Sequence, residues 1–329
     1  MRPEGTVDDI KSVANNQGTR KMRSKLQLWY DVTRPYSLPA TSVPVIVGTD
    51  LAWYHGQVDG VLFLLALFGS VSIQIGANLA NEYLDYVQGI DRGDSLGPAG
   101  VILRGELAPK QIFWATVLAF FASVMFGSYF VFIYGWPILL LGVVSILAAW
   151  FYTAKPLSLG YRALGEIEEF TFMGPVIVVA SYYVQVGSLA LTPILVSLLV
   201  GMLVLPILHA NNLRDVVQDD ERNRLTWVVL AYRRFGAEKG KVVSIGIYCL
   251  SITGAYVMLL VLTLTHHMPL WSLLALLTIP EAYAMIKFVR SGVEGKPLNR
   301  LVRGTARLEL LFGIMLTIGY ALDIFLHPR

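Results

Sequence analysis

Residues 78–85 read Asn-Leu-Ala-Asn-Glu-Tyr-Leu-Asp, and residues 211–219 read Asn-Asn-Leu-Arg-Asp-Val-Val-Gln-Asp. We call these stretches the first and second polar motifs. Each follows a long apolar run and places amides and carboxylates where a hydrophobic helix should end. Ionisable residues at membrane depth are costly, so by default they indicate a functional site. Two such motifs in one apolar chain predict a shared polar site.

The composition around these motifs is that of an integral membrane protein. Of the 329 residues, 55% are hydrophobic and 15% are charged, and the mean hydropathy is +0.58. Soluble domains carry roughly a quarter charged residues. The single cysteine, Cys249, lies in an apolar run, which excludes a disulfide framework and a cysteine-based zinc site. The net charge of +3 is small, and the placement of the basic residues does not predict a nucleic-acid partner.

Nine apolar segments approach the length of about 20 residues that a helix needs to cross a bilayer. They predict an all-α, polytopic membrane protein with nine transmembrane helices near residues 35–55, 60–81, 111–131, 136–153, 167–187, 191–210, 241–264, 269–288 and 306–326. Prolines at positions 35, 39 and 44 interrupt the first segment. Kinks are expected there, since neighbouring groups must satisfy the freed carbonyls.

Charge placement predicts the orientation of these helices. Residues 1–27 are polar and contain no apolar region that ends at a cleavage site, so they are expected to form a cytoplasmic arm. Residues 28–329 would then form the transmembrane domain. With the N-terminus in the cytoplasm, every Lys and Arg except Arg329 falls on the cytoplasmic side, as the positive-inside rule expects. Both polar motifs then face the cytoplasm.

Spacing within the motifs places oxygen-bearing side chains on one helix face. The first motif spaces them four apart, as Asn78 with Glu82 and Asn81 with Asp85, and residues four apart share a face. The second motif repeats this spacing with Asn211, Asp215 and Asp219. Such oxygen ligands suit Mg²⁺, which is commonly held by a few carboxylates and substrate phosphates. The motifs therefore predict a Mg²⁺-dependent diphosphate site, although Asp and Asn are also common at ordinary helix ends.

Charged residues outside the stripes add further candidates. Asp91 follows the first motif in a glycine-containing loop. Glu166 is a candidate for binding or proton transfer, although an acidic residue in a first helical turn also favours the helix dipole. Basic side chains suit phosphate oxygens, and the candidates for that role are Arg104, Lys155, Arg162, Arg214 and Arg224.

With both motifs placed, the chain resembles the UbiA superfamily of intramembrane aromatic prenyltransferases. Asn81-Glu-x-x-Asp85 matches the first Asn/Asp-rich motif of that family, and Asp215-x-x-x-Asp219 matches its second. Within the superfamily the chain looks most like the 1,4-dihydroxy-2-naphthoate polyprenyltransferases of menaquinone synthesis. That similarity extends to Gly97-Pro98, Tyr152-Thr-x-Lys155-Pro156 and Leu164-Gly165-Glu166.

The chain also departs from the pattern of that family. Glu82 stands where Asp is usual, which keeps the carboxylate but moves it one methylene further out. Ser95 replaces a basic residue, and Asn223-Arg224 replaces Gly-Lys. These departures bear on substrate choice more than on the class of reaction.

The resemblance implies a bundle of nine helices around a central cavity, in a bacterial inner membrane. It implies Mg²⁺-dependent transfer of a polyprenyl group from its diphosphate to an aromatic acceptor, with decarboxylation when the acceptor is dihydroxynaphthoate. The implied Mg²⁺ ligands are Asn81, Asp85, Asp215 and Asp219, supported by Asn78, Glu82, Asp91 and Asn211. Lys155, Arg214 and Arg224 would stabilise the departing diphosphate.

Two other functions stay open from the sequence. One is a sister prenyltransferase that acts on 4-hydroxybenzoate or another acceptor. The other is a secondary transporter for an anion, because intramembrane polar clusters also occur in transporters. A transporter would hold its site near the middle of the membrane, whereas both motifs here lie at one face. Release of diphosphate separates the two classes, since only the enzyme would produce it.

Overall fold

The structure, a computed structural model, describes residues 23–90 and 100–327. Most of the predicted arm, 1–27, and the candidate ligand Asp91 lie outside the described residues. The elements are α1 Lys25–Thr33, α2 Pro39–Tyr54, α3 Gly60–Val87, α4 Pro109–Tyr134, α5 Trp136–Phe151, α6 Gly165–Val186, α7 Leu191–Glu221, α8 Trp227–Phe235, α9 Ala237–Leu264, α10 Leu270–Val289 and α11 Lys296–Leu326. The described part of the chain is helical with no strand, which confirms the all-α prediction.

Nine of the eleven described helices, all except α1 and α8, correspond one for one to the nine predicted segments. In the described part of the chain, seven helices are long and apolar enough to cross a membrane, namely α3, α4, α6, α7, α9, α10 and α11. The apolar helix α5 is shorter, and α2 has 16 residues with Pro44 inside it. The protein is therefore a multi-pass integral membrane protein.

Two short helices at the edges of the bundle were not predicted. Ser24 caps α1 by a reciprocal capping box with Gln27, so this helix begins inside the predicted arm. Thr226 caps α8 by accepting a hydrogen bond from the backbone N–H of Val229. Both helices have nine residues, too few to span a bilayer.

Helix α6 is broken where it crosses α7. Its turn at Phe172–Val176 is π-helical and contains Pro175, which cannot donate the usual backbone hydrogen bond. Gly174 allows the close approach, because a Cβ there would lie 2.7 Å from the carbonyl oxygen of Ser197. This crossing holds the acidic start of α6 beside α7, which carries the second polar motif.

The hydrophobic core lies between α2, α7, α9 and α11, where Val47, Val204, Leu259 and Leu316 are fully buried. Most of the apolar stretch of α7 is buried, whereas few residues of α3 and α4 are buried. In a membrane protein such outward apolar surface faces lipid. The ends of α3 and α7 that carry the polar motifs therefore meet inside the bundle.

Candidate active site

One cavity of about 540 Å³ joins the two polar motifs. Along α3 its wall runs from Leu65 to Asp85, about 30 Å of helix. The motif end is polar and the far end is apolar. Eight of the predicted residues line it, namely Asn78, Asn81, Asp85, Asn211, Arg214, Asp215, Asp219 and Arg224. The prediction that both motifs form one site with a central cavity therefore agrees with the geometry.

The asparagines of the first motif are held by other parts of the protein. Asn78 donates from Nδ2 to the carbonyl oxygen of Thr33 at 3.0 Å and to Oγ of Ser37 at 3.2 Å. Asn81 accepts from Nη2 of Arg34 at 3.0 Å and donates to Oγ1 of Thr153 at 3.0 Å. These contacts fix the end of α3 against the segment that follows α1 and against the loop that follows α5.

Glu82 points away from the cavity, into a buried loop contact. It is 1% exposed and accepts from the backbone N–H of Gly100 at 2.9 Å and 3.0 Å. The backbone N–H of Ile102 is a second donor, at 3.3 Å. The structure therefore places Glu82 as an anchor of this loop and not on the cavity wall.

The acids of the second motif are less fully bonded. Arg214 donates to Asp215 from Nε at 2.8 Å and from Nη2 at 2.5 Å, and its Nη1 reaches Oδ1 of Asn299 at 2.7 Å. The Asp219 side chain is 3% exposed, and Nη1 of Arg224 lies 3.7 Å from its Oδ1. Its Oδ2 is buried with no hydrogen-bond partner among the described residues.

Tyr161 and Arg224 connect the two motifs. The Tyr161 hydroxyl donates a hydrogen bond to Oδ1 of Asp85. The guanidinium of Arg224 lies 5.0 Å above the Tyr161 ring and also faces Asp219. Burial, and then the carboxylate of Asp85, raise the pKa of Tyr161, so its phenol keeps the proton that it donates. A chain of contacts thus runs from Asp85 through Tyr161 and Arg224 to Asp219.

Two loops cover this connection and pair through their backbones. The backbone N–H of Ala163 donates to the carbonyl oxygen of Leu225 at 2.7 Å, and Leu225 donates back to Tyr161 at 3.1 Å. Arg162 and Leu225 form a parallel bridge. The indole N–H of Trp227 adds a hydrogen bond to the carbonyl oxygen of Ala163 at 3.1 Å. The loop after α5 and the loop after α7 therefore form one cover.

Besides Glu82, four predicted residues lie away from the cavity wall. Arg162 donates to the carbonyl oxygen of Pro156 at 2.7 Å. Lys155 is exposed on the loop after α5. Arg104 donates from Nε to Glu106 at 2.9 Å. Glu166 is buried and accepts from Nδ2 of Asn212 at 2.8 Å and from the backbone N–H of Trp227 at 3.1 Å. Their roles at the diphosphate remain predictions, and the contacts of Glu166 tie α6 to α7 and α8.

Several cavity residues were given no role from the sequence. Arg34 lines the cavity and orients Asn81; its position directly before Pro35, where the first apolar segment begins, was the available signal. Nothing in the sequence indicated a role for Tyr161, because its contact with Asp85 depends on the conformation of the loop after α5. Glu168 and Glu169 also line the cavity, and no role was predicted for either of them.

The oxygen atoms at the polar end fit a hydrated Mg²⁺ ion. Among the described residues, no three His, Cys, Asp or Glu side chains form a ready-made metal cage. Mg²⁺ keeps several waters and takes one or two carboxylates plus substrate phosphates, so a complete protein cage is not required. The buried, unpartnered Oδ2 of Asp219 is an available ligand atom.

Comparison with known proteins shows relatives over most of the chain. The UbiA prenyltransferase family profile matches residues 41–301. A 1,4-dihydroxy-2-naphthoate octaprenyltransferase of Bacillus subtilis (strain 168) is 32% identical, over 91% of this chain and 94% of the relative. A protein of the same description from Escherichia coli (strain K12) is 30% identical, over 93% and 98%. UbiA prenyltransferase domain-containing protein 1 of Mus musculus is 29% identical, over 92% and 86%.

Solved structures share the fold. A UbiA homolog from Archaeoglobus fulgidus, described as bound to GPP and Mg²⁺, superposes with a TM-score of 0.61 at 14% identity, over 90% of this chain and 99% of that one. A digeranylgeranylglyceryl phosphate synthase structure gives 0.56 at 10% identity, over 90% and 98%. At such low identity these structures speak to the fold alone.

Proposed function

Because this chain belongs to the UbiA prenyltransferase family and is a prenyltransferase, we propose that its acceptor is 1,4-dihydroxy-2-naphthoate and that it serves menaquinone synthesis. It would transfer a polyprenyl group from the diphosphate to the ring, with loss of the ring carboxylate as carbon dioxide. One observation carries the proposal, namely that both polar motifs meet at the polar end of a long apolar cavity. The names of the bacterial relatives support the choice of acceptor.

We assign the polar end to the diphosphate and its metal ions. Asn81, Asp85, Asp215 and Asp219 would hold Mg²⁺, with Asn78 and Asn211 nearby on the same wall. When bound, Mg²⁺ supplies positive charge that offsets the charge developing on the diphosphate. The archaeal homolog described with GPP and Mg²⁺ supports this assignment.

The basic residues of the cavity would hold the remaining diphosphate oxygens. Arg214 and Arg224 both line the polar end, and guanidinium groups bind phosphate oxygens in paired hydrogen bonds. Arg34 would keep Asn81 oriented through their 3.0 Å hydrogen bond. These contacts would fix the allylic carbon at the border between the polar and apolar parts of the cavity.

The apolar part of the cavity would receive the prenyl chain. Val124, Leu139 and Val143 line it and are about half exposed, which would give the prenyl chain a route towards lipid. Apolar walls exclude water, so an allylic cation would react with the acceptor ring before water could trap it. The site would face the cytoplasm of a bacterial inner membrane, as the charge distribution predicts.

The test uses purified protein, labelled octaprenyl diphosphate and two acceptors assayed in parallel, dihydroxynaphthoate and 4-hydroxybenzoate. Asp85→Asn and Asp215→Asn should each lower turnover about 100-fold or more, because each removes charge at the diphosphate. Asp220→Asn is the matched control, since Asp220 is exposed and bonded to Arg233. Near-normal turnover of both variants at saturating Mg²⁺ would refute the site, and a preference for 4-hydroxybenzoate would refute the acceptor.

A further inference from the structure

Two glutamates on the cavity wall have no partner that explains them. Glu168 and Glu169 lie at the start of α6 and line the cavity. Oε2 of Glu168 is buried without a hydrogen-bond partner in the described part of the chain. Glu169 is partly exposed to the cavity and makes no hydrogen bond or ion pair with the described residues. Buried polar atoms are normally hydrogen-bonded, so such exceptions require a reason.

A third carboxyl group, that of Glu309, lies near Glu169 but does not line the cavity. Glu309 on α11 is fully buried, and both of its carboxyl oxygens lack a partner among the described residues. It lies within electrostatic range of Glu169. The groups described around Glu169 are therefore Glu168, Glu309 and the phenol of Tyr152. Neither Glu168 nor Glu169 forms an ion pair with a described residue, so an ion pair does not account for the two acids on this wall.

The glutamates are adjacent to the diphosphate end. Tyr152 lines the same cavity and lies within electrostatic range of Arg224 on one side and of Glu168 and Glu169 on the other. Phe172 follows the glutamates along α6 and provides an apolar wall. An aromatic ring placed there would lie beside the allylic carbon, with hydrogen-bond acceptors at its edge.

We propose that Glu168 and Glu169 form the hydroxyl-binding subsite for the aromatic acceptor, and that one of them takes the hydroxyl proton during transfer. This inference rests on the proposed function. The hydroxyl O–H bond breaks, its proton passes to a carboxylate oxygen, and its electron pair enters the ring. A ring carbon then bonds to the allylic carbon, whose bond to the diphosphate oxygen breaks, and the diphosphate leaves with that electron pair. Loss of the carboxylate from that ring carbon as carbon dioxide returns an electron pair to the ring, and the ring oxygen takes back its proton.

Charge also sets the orientation of the acceptor. Two adjacent carboxyl groups hydrogen-bond to hydroxyl groups and, when either is ionised, repel a ring carboxylate. The acceptor would therefore turn its hydroxyl edge to the glutamates and its carboxylate away from them. An aromatic acid without hydroxyl groups would form no hydrogen bonds to Glu168 and Glu169 through its ring.

The test compares wild type with Glu168→Gln, Glu169→Gln and the double variant. The double variant should form prenylated dihydroxynaphthoate about 100-fold more slowly, since a positioned base contributes on that order, and its KM for dihydroxynaphthoate should rise about 10-fold. Inhibition by 2-naphthoate, which has no hydroxyl groups, should change by less than about twofold. The control Glu281→Gln removes a carboxylate that faces Arg307 at 3.9 Å, outside the cavity lining, and should match wild type.

A second measurement separates this inference from the proposed function. Geranyl diphosphate with Mg²⁺ should raise the melting temperature of the double variant as much as that of wild type, because bound ligand stabilises the folded state. Unchanged kinetics with dihydroxynaphthoate in the double variant would overturn the subsite. The subsite would also be overturned if the double variant lost inhibition by 2-naphthoate, or binding of geranyl diphosphate, as strongly as it lost activity with dihydroxynaphthoate. Failure of the proposed function would appear in wild type itself, as an absence of diphosphate release with any aromatic acceptor.

Discussion

The first and second polar motifs carry the same residue types but use them differently. In the first, Asn78, Asn81, Glu82 and Asp85 all make hydrogen bonds to other segments. In the second, Asp215 is bonded to its own neighbour Arg214, and Asp219 keeps one buried oxygen without a partner among the described residues. The side chains of the first motif are thus bonded to other segments, whereas the second motif keeps the buried Oδ2 of Asp219 available as a ligand atom.

This difference concerns the protein without substrate, in which the side chains of the first motif support the fold more than those of the second. Buried polar groups stabilise a fold when they are fully paired, and an unpaired buried acceptor or charge destabilises it. The first motif therefore contributes to stability in the absence of substrate. In the second motif, the buried Oδ2 of Asp219 has no partner among the described residues, and a bound metal ion with its diphosphate would supply one. Substitutions in the two motifs should consequently affect different measurements.

The largest effect is expected from Asp219→Asn. Loss of this carboxylate should lower prenyl transfer about 1000-fold, at the upper end of what one electrostatic group contributes. The melting temperature should stay constant or rise, because a buried and unpaired oxygen becomes neutral. Turnover and thermal unfolding are measured together, with Asp220→Asn as the control. A clear fall in melting temperature would show that Asp219 supports the fold as the side chains of the first motif do.

Tyr161 should show an intermediate effect, because it connects the two motifs. Tyr161→Phe removes the hydrogen bond to Asp85 but keeps the ring under Arg224. A hydrogen bond to a charged group contributes about 1.5–3 kcal/mol, so binding of prenyl diphosphate with Mg²⁺ should weaken about 10-fold or more. Tyr161→Leu also removes the cation–π contact and should weaken binding further. If both variants bind prenyl diphosphate with the same affinity as wild type, Tyr161 does not couple the two motifs in ligand binding.

Glu82→Ala should lower stability more than activity. It removes the acceptor for two buried backbone N–H groups, at Gly100 and Ile102. Each unsatisfied group costs about 1–3 kcal/mol, so the melting temperature should fall clearly. Glu82→Gln keeps one oxygen acceptor and should fall less. If turnover falls about 1000-fold with no loss of stability, Glu82 is a metal ligand as the family motif suggests.

Asn78→Ala should give the smallest effect. It removes two hydrogen bonds, to Thr33 and Ser37, each worth about 1 kcal/mol net. A modest fall in melting temperature is expected, while the Michaelis constant for prenyl diphosphate should change less than about threefold. If that constant instead rises by about two orders of magnitude, Asn78 belongs among the groups that bind the ligand.

The helices were predictable because the membrane imposes a length and a composition on each of them. All nine predicted segments became helices, even where Pro44 interrupts α2. The π-helical turn at Pro175 was not predicted, because the sequence does not show that Gly174 packs against α7. The short helices α1 and α8 were missed because hydropathy over a span of about 20 residues does not detect them.

The site was predictable in its residue types and only partly in its contacts. Spacing placed Asn81 and Asp85 on one face, and the cavity contains both. Spacing also placed Glu82 with them, but the backbone N–H groups of a later loop bind its carboxylate. Tyr161 and Arg34 acquire their roles through contacts across the fold, which local periodicity does not encode.

The backbone pairing between the loops after α5 and α7 has a consequence for exchanging parts between relatives. Leu225 is bonded through both its N–H and its carbonyl oxygen to Tyr161 and Ala163, so neither loop has a conformation independent of the other. A chimera that takes only one of these loops from a distant homologue would lose the matching backbone hydrogen bonds of the other loop. Grafts made as a pair, with residues 154–164 and 222–226 from one parent, should preserve the cover, and the two segments should vary together across the family.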